Sequence, residues 1–247
     1  AMASQQTSNR MAIRAGRLID GTGAAPLRDA LVIIEGERIA GIHAGGGYLP
    51  DADLPIHDLG TGTTILPGLI DCHLHLMGDT VLPPSQWADP PREELARKAR
   101  LHARQALLAG VTTVRDCGAS DRIVLELRDA IDAGAEAGPH ILSCDRVITT
   151  PRGHGHFMGI EAEDTPAALR AVGELVESGA DFIKVIASGG GGTPGTYPWN
   201  SQFSPETLRA VVEAAHRAGK MVCAHAHASI AMQHCVEAGV DTIEHTS

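Results

Sequence analysis

The chain has 247 residues, enough for one large α/β domain or two ordinary domains, and its hydrophobic fraction of 43% is that of a globular protein with a sizeable core. It carries 30 acidic and 20 basic side chains, a formal net charge of −10, which argues against nucleic acid or an anionic membrane as the main partner. No apolar run is long enough to cross a membrane. We therefore expect neither nucleic acid nor a membrane as a partner. The small-molecule or short-peptide substrate that we also expect depends on the site residues described below, and a homo-oligomer is possible.

The first segment, residues 1–10, is polar, shows no signal-peptide pattern and starts with Ala-Met-Ala, as a cloning scar would. We predict that it is a tag or disordered. The five cysteines stand singly, and four of them lie in strand-like apolar runs: Cys72, Cys117, Cys144, Cys223 and Cys235. This pattern predicts reduced thiols in the core and a cytoplasmic protein rather than a disulfide framework.

The next segment, residues 11–66, has the pattern of short strands with glycine turns, and we predict strands over 12–18, 30–35, 38–43 and 56–58. From residue 69 the pattern changes to strand followed by helix, repeated. The predicted strands cover 69–76, 111–117, 140–149, 181–187, 221–227 and 241–245. The predicted helices cover 93–109, 122–133, 166–178, 205–218 and 230–238.

The helix ends carry capping signals. Thr165 and Ser204 each precede a proline, which predicts an N-cap residue followed by proline at the first helical position. Each helix is followed by a glycine that we expect in the left-handed conformation: Gly110, Gly134, Gly179, Gly219 and Gly239.

Two histidines lie two residues apart in the first strand of this repeat. Side chains at i and i+2 of a strand share a face, so His73 and His75 point the same way. Two parallel imidazoles form half of a metal site, since neutral imidazole suits zinc, iron and nickel. The alternative, a polar strand face without metal, would need separate hydrogen-bond partners for both rings.

Strand–helix alternation implies a parallel sheet, either doubly wound or closed into a (β/α)₈ barrel. Four polar residues fall late in four different strands: His75, Lys184, His225 and His245. In a barrel those strand ends meet at one mouth, whereas in an open sheet they would spread along an edge. We therefore predict an α/β fold of the TIM-barrel type.

These segments together resemble the metal-dependent amidohydrolase superfamily, in its imidazolonepropionase-like and Xaa-Pro dipeptidase-like branch. The resemblance extends over about residues 11–247. It is carried by Pro67-Gly-Leu-Ile-Asp-Cys-His-Leu-His75, Ile183-Lys-Val185, Val222-Cys-Ala-His-Ala-His227 and Ile243-Glu-His245, with support from Gln202-Phe-Ser-Pro-Glu206 and Ala238-Gly-Val-Asp-Thr-Ile-Glu-His245.

The resemblance implies a metal-binding barrel over residues 67–247 and a partial β-sandwich over residues 11–66. It implies that His73 and His75 bind one divalent ion, that His225 and His245 bind a second, and that a carboxylated Lys184 bridges both. Lys184 lies between apolar residues, where a bare ammonium is expensive and CO₂ would convert it into an anionic oxygen ligand. The alternative is a lysine that extends to solvent. Zinc is the expected metal, with manganese or cobalt possible.

One part of the family pattern is absent from the given sequence. The family has an Asp at the end of the eighth strand that serves as metal ligand and proton shuttle, whereas the sequence stops at Ser247, after strand six. No catalytic residue of that kind is therefore assigned in this chain. We expect either that the chain is part of a longer protein or that something outside it completes the barrel. Six strands alone would leave two open edges, so the isolated chain should associate or aggregate.

Substrate contacts are expected from residues near the predicted mouth. His154 and His156 lie in the loop after the third strand, and the alternative for both is a mobile surface loop. His227 shares a face with His225 and is expected to meet the substrate or to support a ligand, and the alternative is a purely structural role. Ser188–Gly195 lacks the Gly-Lys ending of a phosphate loop, so we predict a flexible lid. Tyr197 and Trp199 beyond it are expected to line the substrate pocket, and the alternative is that they anchor the loop. Arg115 and Asp116 are predicted to form an ion pair.

The function expected from this set is hydrolysis of an amide bond, of peptide or N-acyl amino acid type, by a hydroxide that bridges two metal ions. The same chemistry could open a lactone or cyclic amide, or cleave a carbamate or phosphotriester. A third possibility is an inactive metal-binding fragment that lacks the strand-eight Asp.

Overall fold

The computed structural model describes residues 10–247. The tag or disorder predicted for residues 1–10 lies outside the described residues, except at Arg10, where the first strand begins. The chain divides into two units, and Gly68 and Leu69 mark the boundary between them. This boundary falls two residues after the predicted one.

The first unit is one mixed sheet. β1 is its central strand: β1 pairs antiparallel with β2 and parallel with β4 and β5, and β2 pairs antiparallel with β3. The second layer of the predicted sandwich is not shown, so the sandwich stays a prediction. The strands are β1 (Arg10–Leu18), β2 (Leu27–Glu35), β3 (Arg38–His43), β4 (Ile56–Asp58) and β5 (Thr64–Ile65).

The second unit alternates strands and helices. Its strands are β6 (Leu69–Leu74), β7 (Val111–Asp116), β8 (His140–Ser143), β9 (Val147–Thr149), β10 (Gly159–Glu161), β11 (Ile183–Ile186), β12 (Val222–Ala226) and β13 (Thr242–His245). Its helices are α1 (Arg92–Leu108), α2 (Ile123–Asp132), α3 (Thr165–Ser178), α4 (Pro205–Arg217) and α5 (Ser229–Ala238). None of the helices in the described residues combines the length and apolarity needed to cross a membrane.

These strands form two sheets in which every pair is parallel. The orders are β6-β7-β8 and β10-β9-β11-β12-β13, and the backbone N–H of Asp181 donates to the Ser143 carbonyl at 2.8 Å, which joins the two sheets. The parallel α/β architecture is therefore confirmed. Within the part of the chain that the structure describes, β6 and β13 each pair on one side only.

One predicted strand is wrong. The run 140–149 is two strands, β8 and β9, because Asp145 between them adopts a left-handed backbone with φ of 59°. Here the left-handed residue turns the chain out of the extended conformation between Ser143 and Val147. β8 pairs with β7 while β9 pairs with β11, so the break moves the chain from one sheet to the other.

The helix ends follow most of the predicted capping signals. Ser204 caps α4 by accepting from the Thr207 N–H at 3.2 Å, and all five predicted C-terminal glycines have φ between 70° and 89°. The predicted N-cap of α3 is wrong by one residue. Asp164 accepts from the Ala167 N–H at 2.7 Å, and Thr165 instead bonds to the Thr207 hydroxyl at 2.8 Å. An aspartate preceding Thr-Pro therefore takes the capping role.

β11 shows how the fold sorts side chains between its two faces. Ile183 and Val185 pack toward the helices, in a cluster that includes Leu175 and Leu208. The opposite face carries Lys184 between Phe182 and Ile186, in a second cluster that includes the cysteines of β12 and of the turn after β7. Each fully buried aliphatic side chain contributes about 1.5–3 kcal/mol. This packing holds the polar inner face in place.

Four of the five cysteines are buried as predicted, and all five are free thiols. The prediction of a core position is wrong for Cys72, which is exposed on β6, a strand at the edge of its sheet.

Candidate metal centre

The predicted metal ligands converge at the carboxyl ends of β6, β11, β12 and β13. The ring centroids lie 4.8 Å apart for His73 and His245, and 4.6 Å apart for His225 and His245. His73 and His75 lie 5.5 Å apart on one strand. These rings and Lys184 line one cavity of about 360 Å³. The structure therefore brings the five residues together.

Hydrogen bonds to oxygen atoms fix which ring nitrogen carries a proton. Nδ1 of His73 lies 2.7 Å from Glu244 Oε2, and Nδ1 of His75 lies 2.8 Å from the Gly118 carbonyl. Nε2 of His225 lies 3.2 Å from the Gly189 carbonyl. Because a carbonyl or carboxylate can only accept, these nitrogens donate, and the opposite nitrogen of each neutral ring keeps a lone pair.

The environment keeps these imidazoles neutral. Burial lowers the pKa of His75 and of His245 to about 4, and that of His225 to about 2. Burial also lowers the pKa of His73, and the positive charge of Lys184 acts in the same direction, although Glu244 opposes both. Neutral imidazole is the form that binds a metal ion.

Lys184 is a buried polar group without a partner on this face. Its side chain is 2% exposed, and Nζ has no hydrogen-bond partner among residues 10–247. A buried ammonium without a partner is strongly disfavoured. An unpartnered lysine nitrogen beside neutral imidazoles fits a residue that would be converted to an anionic oxygen ligand, so the residues present fit a site for divalent ions.

Sequence analysis missed Glu244 and Cys117. One ligand atom from each of His73, Cys117 and Glu244 lies within 4.8 Å of the others, and the 2.7 Å hydrogen bond between His73 Nδ1 and Glu244 Oε2 accounts for part of this proximity. Glu244 directly precedes His245 on β13. It shares a strand face with Thr242, and this spacing of two is the sequence signal from which the direction of its side chain could have been predicted.

The predicted ion pair between Arg115 and Asp116 is wrong. Arg115 Nη2 lies 2.5 Å from Glu244 Oε1, whereas the buried Asp116 accepts from the Leu76 N–H at 2.7 Å and the Gly118 N–H at 3.2 Å. Burial raises the pKa of Asp116 to about 7. Consecutive strand residues point to opposite faces, so the two side chains cannot meet.

Of the predicted substrate residues, two line the cavity and two do not. His154 and His227 lie in its wall, together with Trp87, Phe157 and Met158, which the sequence did not single out. His156 is half exposed, with Nδ1 3.6 Å from Glu161 Oε1. Tyr197 is half exposed outside the lining, and its ring stacks on that of Trp199 with centroids 5.2 Å apart.

The glycine-rich loop after β11 lies at the cavity wall, where Gly191 and Gly192 contribute to the lining. Ser188, at the start of this loop, forms an antiparallel bridge with Ser201, further along the connection to α4. The Ser188 hydroxyl accepts from the His227 N–H at 2.9 Å, which connects the loop to the end of β12. The loop thus presents backbone rather than side chains to the cavity. Its movement as a lid stays a prediction.

Comparisons with known proteins identify the family that the chain resembles. The model of the amidohydrolase family matches residues 64–247. Ochratoxinase of Aspergillus niger is 31% identical over an alignment that covers 100% of this chain and 56% of that protein. Imidazolonepropionase of Cupriavidus pinatubonensis is 31% identical over 153 residues, 62% of this chain and 33% of that protein.

Among solved structures, a Xaa-Pro dipeptidase with methionine bound in the active site superposes with a TM-score of 0.85 at 33% identity. That match covers 96% of this chain and 61% of the dipeptidase chain. The resemblance drawn from the sequence motifs is confirmed. The chain spans about six-tenths or less of the length of these relatives.

Proposed function

Because this chain belongs to the amidohydrolase family, we propose that the protein containing it is a metal-dependent hydrolase that cleaves amide bonds in dipeptides or N-acyl amino acids. The observation that carries the proposal is the buried Lys184 nitrogen, without a partner in residues 10–247, in a cavity lined by six histidines, four of which are the expected ligands. A purely structural cavity gives no reason for an unpaired ammonium there.

In this proposal His73 and His75 would hold one divalent ion, His225 and His245 would hold a second, and a carboxylated Lys184 would supply oxygen ligands. Zinc is the expected metal, since the ligand set would be nitrogen and oxygen, with manganese or cobalt as alternatives. Such ions, when bound, lower the pKa of water and polarise a carbonyl group. The protein groups keep the ligand nitrogens unprotonated and in a fixed orientation.

The remaining cavity wall supports a small substrate with an apolar part. The cavity volume of about 360 Å³ lies within the range of ordinary small-molecule sites. Trp87, Phe157 and Ile186 supply apolar surface, while His154 and His227 supply hydrogen-bonding nitrogens. We propose that the apolar residues receive a substrate side chain and that the two histidines bind its polar atoms.

The relatives favour a substrate that contains an amino acid. The Xaa-Pro dipeptidase structure holds methionine in its active site. By analogy, the leaving group in the present protein would be an amino acid whose carboxylate lies near His154 or His227. Contacts from His156 and Tyr197, outside the cavity lining, would require the loops that carry them to move.

The test is an activity panel on the full-length protein. It should contain Xaa-Pro and other dipeptides, N-acyl amino acids, a lactone, a cyclic amide, a carbamate and a phosphotriester. We expect hydrolysis of dipeptides or N-acyl amino acids that is lost after dialysis against a chelator and restored by zinc. Turnover confined to the other classes would support the alternative substrates. Binding of zinc without any turnover would support the inactive metal-binding protein.

A further inference from the structure

Glu244 is the centre of a buried hydrogen-bond network beneath the candidate metal centre. Its side chain is 11% exposed. Oε2 accepts from His73 Nδ1 at 2.7 Å, and Oε1 accepts from Arg115 Nη2 at 2.5 Å and from Cys223 Sγ at 3.0 Å. The carboxylate therefore has a donor on each oxygen, from three different strands.

Arg115 is itself held in place by several contacts. Its Nε donates to the Cys72 carbonyl at 2.6 Å, and its Nη1 donates to the Thr242 hydroxyl at 3.2 Å. Its guanidinium lies 5.5 Å from the ring centroid of Phe182. Because Cys72 directly precedes His73, Arg115 fixes both the carboxylate that bonds the imidazole and the backbone that carries it.

The other histidine of β6 is oriented in a different way. Nδ1 of His75 donates to the backbone carbonyl of Gly118 at 2.8 Å, an acceptor that no side-chain substitution removes. His73 depends on a side-chain carboxylate instead. A substitution at Glu244 therefore removes the acceptor of His73 and leaves the acceptor of His75 in place.

We propose that Glu244 and Arg115 are positioning residues for His73. The ion pair between Glu244 and Arg115 holds the His73 imidazole as the Nδ1–H tautomer, so that the Nε2 lone pair is available to a metal ion. The inference deepens the proposed function and rests on it. It assigns to the carboxylate before His245, and to the arginine of β7, a role in metal affinity rather than in folding alone.

The experiment measures zinc binding by the full-length protein. Zinc per chain is determined by elemental analysis after dialysis, and the zinc Kd by competition with a chromogenic chelator. The variants are Glu244→Gln, Arg115→Lys and, as a reference, His73→Ala. The matched control is Asp181→Asn: Asp181 accepts from Arg128 Nη1 at 2.8 Å and from the Ser143 N–H at 2.8 Å, and none of its hydrogen bonds comes from a histidine.

We expect Glu244→Gln and Arg115→Lys each to raise the Kd of one zinc ion by about 10- to 100-fold and to leave the other zinc ion bound. Asp181→Asn should keep both ions at the wild-type Kd, even if its metal-free form melts at a lower temperature. Arg115→Lys keeps the charge, but its single ammonium nitrogen cannot reproduce the planar set of three donor nitrogens that reach Cys72, Thr242 and Glu244. This variant therefore tests the network if Glu244→Gln does not fold.

The inference is overturned if both network variants bind two zinc ions with the wild-type Kd while His73→Ala loses one. It is also overturned if Asp181→Asn loses zinc as Glu244→Gln does, because the effect would then be general destabilisation. A wild-type protein without zinc, or a His73→Ala variant that keeps both ions, overturns the proposed function and this inference with it.

Discussion

Gly190 lies directly against the imidazole of His154: a Cβ atom at position 190 would come within 2.6 Å of Cε1 and Nε2 of that ring. The ring cannot easily move away, because its centroid lies 4.5 Å from that of His225. Burial lowers the pKa of His154 to about 4, so the ring is neutral. The glycine-rich loop therefore packs on a residue of the proposed substrate site through its lack of a side chain.

The first prediction is that Gly190→Ala disturbs the substrate site. The added methyl group must displace the His154 ring or the loop, and overpacking of this kind costs about 1–3 kcal/mol. We expect a lower melting temperature and a higher KM for the dipeptide or N-acyl amino acid that the protein hydrolyses. Thermal unfolding and steady-state kinetics measure the two effects.

The control for this prediction lies one residue further along the loop. A Cβ at Gly191 would meet nothing within 4 Å. Gly191→Ala should therefore leave the melting temperature close to that of the wild type. Equal effects of the two substitutions would refute the argument from packing against His154.

The second prediction is that Lys184→Met stabilises the metal-free protein while it abolishes hydrolysis. Methionine has a similar shape and removes an ammonium that is buried without a partner in residues 10–247. We expect the metal-free variant to melt at a higher temperature by an amount equivalent to about 1–4 kcal/mol. A lower melting temperature would indicate that Lys184 has a stabilising partner.

The third prediction is that Lys184 is carboxylated in the metal-loaded protein. Incubation with ¹³C-bicarbonate should give a carbamate signal in the ¹³C NMR spectrum, and the signal should be absent from Lys184→Met. Lys184→Arg should lose activity although it keeps the charge, because a guanidinium cannot become a carbamate. An active Lys184→Arg enzyme would contradict the proposed role.

The fourth prediction concerns metal content. The full-length protein should bind close to two divalent ions, as the resemblance to the family implies for this ligand set. Chelation should remove hydrolysis, and His73→Ala should lose both an ion and activity. Elemental analysis that finds no transition metal, together with an active His73→Ala variant, would contradict the metallohydrolase proposal.

The predicted ligand positions came from features that the sequence carries locally. A strand has a period of two, so His73 and His75, or His225 and His227, could be placed on one face without knowledge of their partners. The helix-ending glycines likewise depend only on neighbouring residues. For these positions the sequence and the structure agree.

The errors involve contacts between distant parts of the chain. Arg115 bonds Glu244, which is 129 residues away, and no local pattern distinguishes that partner from the adjacent Asp116. The break at Asp145 depends on which sheet each half of the segment joins. The position of Tyr197 depends on how a glycine-rich loop folds back, and backbone preference alone does not determine that path.

The last prediction concerns acid stability and uses Asp241, which lies away from the candidate metal centre. Its Oδ2 accepts from the Val222 N–H at 2.7 Å and lies 2.8 Å from His216 Nε2. Burial alone would raise the pKa of this carboxyl group. The hydrogen bonds from His216 and Val222 outweigh that effect and lower the pKa below its ordinary value of 3.8.

A carboxyl group with a lowered pKa in the folded state stabilises the fold above its ordinary pKa, and the contribution is lost as the pH falls through the lowered value. Asp241→Asn should therefore lower the free energy of unfolding at pH 7 by about 0.5–2 kcal/mol. The difference from the wild type should shrink below about pH 4, because the wild-type carboxyl group then becomes protonated as well. Urea unfolding between pH 7 and pH 3 measures both effects.

The matched control is Glu213→Gln on α4. The Glu213 carboxylate lies 3.9 Å from Arg217 Nη1 and is 61% exposed. Exposed pairs of this kind contribute about 0–1 kcal/mol, so this variant should follow the wild type closely across the whole pH range. If Asp241→Asn differs from the wild type by the same amount at pH 3 as at pH 7, the loss comes from packing and not from the charge of Asp241.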